Sequence, residues 1–172
     1  MTSAATQSPG TPTMPMARPA PDLVRTLHPG DVACADRGEV LSTLLGSCVA
    51  VILTDPRRTV GVMCHIVHSK PPLSHEKSST SYGAVAIEAM DRLLLARGIS
   101  LRLCEAYVYG GGNMFPGLIT QPHVGEANAL WTLTTLREHG VRVIGQDLGG
   151  QVYRRLRWTV GADAPEVSQV PV

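Results

Sequence analysis

Leu45-Gly46-Ser47-Cys48-Val49-Ala50-Val51 and, one turn later, Val60-Gly61-Val62-Met63-Cys64-His65 are the stretches that decide the fold. Each is a short apolar run bounded by glycine and rich in β-branched residues, the pattern of a buried strand. Between them lies Asp55-Pro56-Arg57-Arg58. It reads as a turn, because proline presets the first turn dihedral. Two strands of similar length laid side by side bring their ends together. Cys48 at the head of one then meets His65 at the end of the other.

Working outward, residues 39–45, 49–55 and 60–68 read as three successive strands, and 69–81 as a polar surface loop. Two helix–strand units follow. In the first, Ala86, Ile87, Met90, Leu93 and Leu94 recur at helical spacing, and Gly98 is a helix stop. A strand over 101–109 then runs into Gly110-Gly111-Gly112. In the second, Leu130, Leu133 and Leu136 mark one helix face, Gly140 stops the helix, and a strand over 141–146 precedes Asp147 and Gly149-Gly150. A last strand spans 152–160. Strands in a run, then alternating with helices, predict an α+β fold with mixed sheets.

The chain of 172 residues is long enough for one domain with a core, and 44% hydrophobic residues suit a globular protein. Residues 1–21 hold five of the thirteen prolines among Ser, Thr and Ala and read as a disordered tail; 22–172 read as a single domain. A charged fraction of 17% and a net charge of +1 speak against nucleic-acid binding. The one basic cluster, Tyr153-Arg154-Arg155-Leu156-Arg157, alternates like an edge strand with a charged outer face. There is no apolar run long enough for membrane insertion, and no signal-peptide pattern. Cys34, Cys48, Cys64 and Cys104 form no Cys-x-x-Cys pair, so a reducing cytoplasm is the expected compartment.

A thiol becomes a good nucleophile when a neighbour takes its proton, and histidine is the usual neighbour. The sharp reading is a cysteine hydrolase with Cys48 as nucleophile and His65 as base and acid. Against it stands the ordinary core cysteine. Gly46-Ser47 favours the sharp reading, since a tight bend there exposes the thiol and aims amide N–H groups at one point. A catalytic Cys48 is expected to carry a depressed pKa and to react quickly with iodoacetamide. Cys64 and Cys104 read as core residues. His65 and His68 fall on opposite faces of a strand, so no metal site is expected.

Taken in order, several motifs between Leu27 and Val160 resemble the CheD family of chemoreceptor glutamine deamidases. They are Leu45–Val51, Gly61–His65, Tyr82, Gly110-Gly111-Gly112-Asn113-Met114-Phe115, Val124-Gly125-Glu126-Ala127-Asn128 and Asp147-Leu148-Gly149-Gly150. The resemblance implies a layered α/β/β sandwich of two mixed β-sheets with flanking helices, similar to the catalytic domain of the cytotoxic necrotizing factors. It implies a protein-glutamine glutaminase that converts glutamines of methyl-accepting chemotaxis receptors to glutamate through a Cys48 thioester, with no cofactor. Hydrolysis of methylated receptor glutamates at the same site, and docking to a CheC-type phosphatase, are implied as well. The family's third site residue is a threonine six positions before the cysteine. Here that position is Ser42, and the neighbouring Thr43 is expected on the opposite strand face. A non-catalytic receptor adaptor, or a cysteine protease or transglutaminase, are the competing readings of the same residues.

Overall fold

The computed structural model describes residues 24–118 and 122–172. The tail expected over 1–21 lies outside the described residues. Among the described residues, nine strands form two mixed sheets, and two helices cover one of them. The strands are β1 (Val24–Leu27), β2 (Val32–Asp36), β3 (Val40–Leu45), β4 (Val49–Thr54), β5 (Val60–Ile66), β6 (Glu105–Gly110), β7 (Arg142–Leu148), β8 (Val152–Thr159) and β9 (Glu166–Pro171). The helices are α1 (Gly83–Leu95) and α2 (Val124–Glu138). The large sheet has the order β2-β5-β4-β6-β7 and the small sheet β1-β3-β8-β9. Pairing is antiparallel except for β1 with β3 and β6 with β7. The layering is α/β/β.

The hairpin of β4 and β5 sets the register on which the site depends. Asp55 closes its turn: Oδ1 accepts the N–H groups of Thr59 at 2.8 Å and Val60 at 2.9 Å, and Oδ2 accepts the Thr59 hydroxyl. Partial burial pushes the Asp55 carboxyl up, but these bonds outweigh it and hold the group below the usual carboxylate range. From that turn the ladder runs Thr54 opposite Gly61 to Val49 opposite Ile66.

Every residue of β4 and β5 is buried, because each strand has packing on both faces. Val49, Val51, Leu53, Val62, Cys64 and Ile66 face the helices, against Ala86, Met90, Leu94 and Leu136. Ala50, Ile52 and Met63 face the small sheet, against Leu41, Leu45, Leu156 and Trp158. The sheets approach closely where Gly61 meets Trp158; a Cβ at Gly61 would fall 2.3 Å from the indole ring. Gly61 is therefore a packing requirement.

Three expectations need correction, and three strands were not expected. β8 is internal, between β3 and β9, and Arg154 points inward and is buried, so the basic cluster is not an edge strand. The strand expected over 101–109 begins as a 3-10 turn at Leu101–Leu103 and becomes β6 only at Glu105. The buried face of α2 carries Gly125, Asn128, Thr132 and Leu136, while Leu130 is 67% exposed. Of the expected face, Leu136 and Leu133 do pack on the core, but Asn128 and Thr132 escaped the apolar period because α2 also lies against backbone and meets it with polar groups. Finally, β1, β2 and β9 lie in segments with little periodicity, and pairing with neighbours makes them strands.

Candidate active site

Between β3 and β4 the chain steps from the small sheet to the large one, and Gly46-Ser47-Cys48 make the step. Gly46 is closely packed: a Cβ there would meet Met114 Sδ at 2.8 Å, so a side chain requires Met114 to move. Cys48 immediately precedes β4. Strand alternation puts it on the same face as Ala50 and Ile52, towards the small sheet. Ala50 pairs with His65, so His65 shares that face. Cys48 and His65 are therefore diagonal neighbours across two adjacent strands, a spacing of about 7 Å that an imidazole can span. Cys48 is half-buried, and His65 is 2% exposed. No hydrogen bond joins the two among the described residues; such contacts commonly tighten only when substrate binds.

The partner of His65 comes from the small sheet. Thr43 Oγ1 lies 2.8 Å from His65 Nδ1 and donates to the Leu27 carbonyl, also at 2.8 Å. A hydroxyl has one proton, and a carbonyl can only accept. With that proton on the Leu27 oxygen, Thr43 must accept from His65, which places the ring proton on Nδ1. Nε2 is then the free base. The backbone of His65 is tied on both sides, its N–H to Asp31 O and its carbonyl to Gly30 N–H.

Ser42 does not take this part. Its hydroxyl lies 3.1 Å from Thr26 Oγ1 on the outer face of the small sheet. Ser42 and Thr43 do lie on opposite faces of β3, but Thr43 is the one that faces inward. Leu41 and Leu45 are the inward residues of β3, and Thr43 falls between them; Leu44, equally apolar, is 55% exposed.

Burial pushes the Cys48 thiol pKa up, opposite to the depressed value expected of it. Burial also lowers the pKa of His65, against smaller opposing effects of Asp31 and the Leu27 carbonyl. Both directions favour the neutral thiol and the neutral imidazole over the ion pair. Cys64 and Cys104 are buried thiols pushed up to about 12 and about 11, respectively. They are packing residues.

The glycine clusters brace the Cys48 turn. Gly111 N–H donates to Cys48 O at 2.8 Å and Gly112 N–H to Gly46 O at 2.9 Å. Gly110, at φ +114°, has no room for a Cβ, which would lie 2.1 Å from Cys48 O. Gly149 N–H donates to Gly110 O, and Asn113 N–H to Gly150 O. Arg154, buried, bonds Asp147 at 2.8 Å, and that guanidinium holds the Asp147 carboxyl below the usual carboxylate range. The amides of Ser47 and Cys48 have no acceptor among the described residues. A cavity of about 120 Å³ lies beside them, lined by Ser47, Gly112, Met114, Phe115 and His123 among others. A larger concavity, about 640 Å³, sits on the outer face of the small sheet around Ser42, Arg155 and Arg157, away from the thiol. Asn128, the last residue of the Val124–Asn128 motif, has no part assigned from sequence, yet it makes three bonds to this turn and to the segment after His65. Its signal was the 3-4-4 spacing of Gly125, Asn128, Thr132 and Leu136.

The fold and site define an α/β/β protein with a thiol and an oriented imidazole on one inter-sheet face. A family model described as CheD chemotactic sensory transduction matches residues 68–164. "Probable chemoreceptor glutamine deamidase CheD 2" of Albidiferax ferrireducens is 36% identical over 138 residues, 78% of this chain and 80% of that protein. "Probable chemoreceptor glutamine deamidase CheD" of Jannaschia sp. is 35% identical over 76% of this chain and 72% of its own length. The protein of that name in Pseudomonas savastanoi pv. phaseolicola is 34% identical over 76% and 75%. Against solved structures the likeness is remote: Bacillus licheniformis hypothetical protein YfiH, at 15% identity, covers 68% of this chain and 50% of that one with a TM-score of 0.40. The chain belongs to the CheD family. No helix among the described residues is long and apolar enough to cross a membrane.

Proposed function

We propose that this chain is a chemoreceptor glutamine deamidase, a protein-glutamine glutaminase in which Cys48 is the nucleophile and His65 the base and acid. The names of its relatives supply the substrate, glutamine side chains of chemoreceptors. The observation that carries the mechanism is the Leu27–Thr43–His65 relay, which leaves Nε2 free on the face that Cys48 shares.

His65 Nε2 takes the thiol proton as Sγ bonds to the carboxamide carbon, so no pre-formed thiolate is needed. The tetrahedral oxyanion is held by the unpaired N–H groups of Ser47 and Cys48. The C–N bond breaks as protonated His65 gives its proton to the leaving nitrogen, and ammonia departs. Water, deprotonated by His65, then attacks the thioester. Collapse releases glutamate and restores the thiol. Thr43 holds the ring throughout and stabilises the Nδ1–H as the imidazolium forms. Ser42 has no place in this scheme. Docking to a CheC-type phosphatase, which the family resemblance implies, would regulate access to the same site.

Incubation of the protein with receptor cytoplasmic domains, followed by peptide mass mapping, tests the reading. Cys48→Ala and His65→Ala are each expected to abolish the mass gain that marks amide-to-acid conversion while leaving the protein folded. Full activity in Cys48→Ala would refute the mechanism.

A further inference from the structure

We infer that Asn128 is a positioning residue that holds the oxyanion-binding peptide in its working orientation. The inference rests on the proposed roles of Cys48 and its amide. Asn128 projects from the buried face of α2 and is 1% exposed. Its Nδ2 donates to Ser47 O at 3.2 Å and to Val67 O at 3.0 Å, and its Oδ1 accepts from Ser69 N–H at 3.0 Å. Both amide donors are used, and all three partners are backbone. One partner immediately precedes the nucleophile. The other two follow His65 at the exit of β5.

The β4–β5 ladder ends at Val49 opposite Ile66, so Cys48 lies one position beyond the last backbone rung. Asn128 bridges the gap there, tying Ser47 to Val67 just past the last rung. The bridge also has a direction. In a trans peptide, C=O and N–H point oppositely. Drawing the Ser47 carbonyl towards Asn128 therefore turns the Cys48 N–H away from it, so this amide is not consumed by the bridge. The Cys48 N–H, which has no acceptor among the described residues, is thereby left to donate to the oxyanion.

α2 is itself fixed against this region. A Cβ on Gly125 would fall 2.4 Å from Gly112 O, so the helix rests on the glycine cluster, and Thr132 Oγ1 bonds the Asn128 carbonyl at 2.8 Å. The side chain of residue 128 therefore has no freedom to relocate.

Asn128→Asp keeps the shape but sets a carboxylate against two carbonyl oxygens. Its kcat for receptor deamidation is expected to fall by about 100-fold or more, in the range for loss of an oxyanion donor, with KM within about threefold. Asn128→Ser, which removes the reach to Ser47, is expected to behave alike and decides the matter if the aspartate variant does not fold. Circular dichroism and melting confirm the fold of each. Leu136→Ala, two turns along the same buried face, serves as the stability control; its kcat is expected to stay within twofold at comparable loss of Tm. A folded Asn128 variant with kcat within threefold of the parent overturns the inference, as does an equal kcat loss in Leu136→Ala. If Cys48→Ala is inactive while the Asn128 variants are fully active, this inference alone fails. If Cys48→Ala is active, the underlying mechanism fails.

Discussion

The two sheets bury their strands differently. In the large sheet, β4 and β5 are buried at every position, with helices on one side and the small sheet on the other. In the small sheet, β8 alternates strictly, Arg154, Leu156 and Trp158 inward and Arg155 and Arg157 outward, because its outer face meets solvent. In a doubly covered strand, apolar character at a position does not reveal which face it serves; register does. In a singly covered strand, alternation alone decides. The site draws on both kinds: Cys48 and His65 come from the first and Thr43 from the second.

Neighbouring substitutions in each sheet put this contrast at risk. Ile52→Ala and Leu53→Ala point to opposite faces, and each is expected to cost about 2–5 kcal/mol in urea unfolding. On β3, Leu45→Ala is expected to cost the same, whereas Leu44→Ala stays within about 0.5 kcal/mol. Equal costs at Leu44 and Leu45 would break the comparison.

The next effect is catalytic. Thr43→Val keeps the shape but removes the hydrogen bond that orients His65, and kcat is expected to fall about tenfold, the worth of one such bond. An unchanged kcat would leave the Leu27 carbonyl as the orienting group.

The pH profile sharpens the same point. A base works unprotonated, and burial keeps His65 unprotonated further into acid. The level region of kcat/KM is expected to extend below pH 6.5 before the rate falls with protonation. Alkylation of Cys48 by iodoacetamide should keep climbing as pH passes 9, since its thiol titrates above that value. A plateau near neutral pH would mean a pre-formed thiolate. The smallest effect belongs to Ser42→Ala, whose kcat is expected within twofold of the parent.

Much of the fold was legible. The runs 49–55 and 60–65, the Asp55-Pro56 turn and the glycine helix stops announced the central hairpin and both helices, because those patterns are local. β1, β2 and β9 were not, since short segments of mixed character acquire strand structure only by pairing. The face of α2 was misread for a related reason. Besides Leu136, its buried residues are Gly125, Asn128 and Thr132, small or polar groups that a hydrophobic period does not register.

The sequence by itself determined which chemical groups are present and that a tight turn separates the cysteine strand from the histidine strand. Strand pairing then made Cys48 and His65 share a face, a consequence of a two-residue side-chain period. Only the packing of one sheet on the other decided that Thr43, and not Ser42, meets the imidazole. Only the docking of α2 decided what holds the Ser47 carbonyl. Contacts between sheets and helices depend on relative placement in space, which local patterning does not encode.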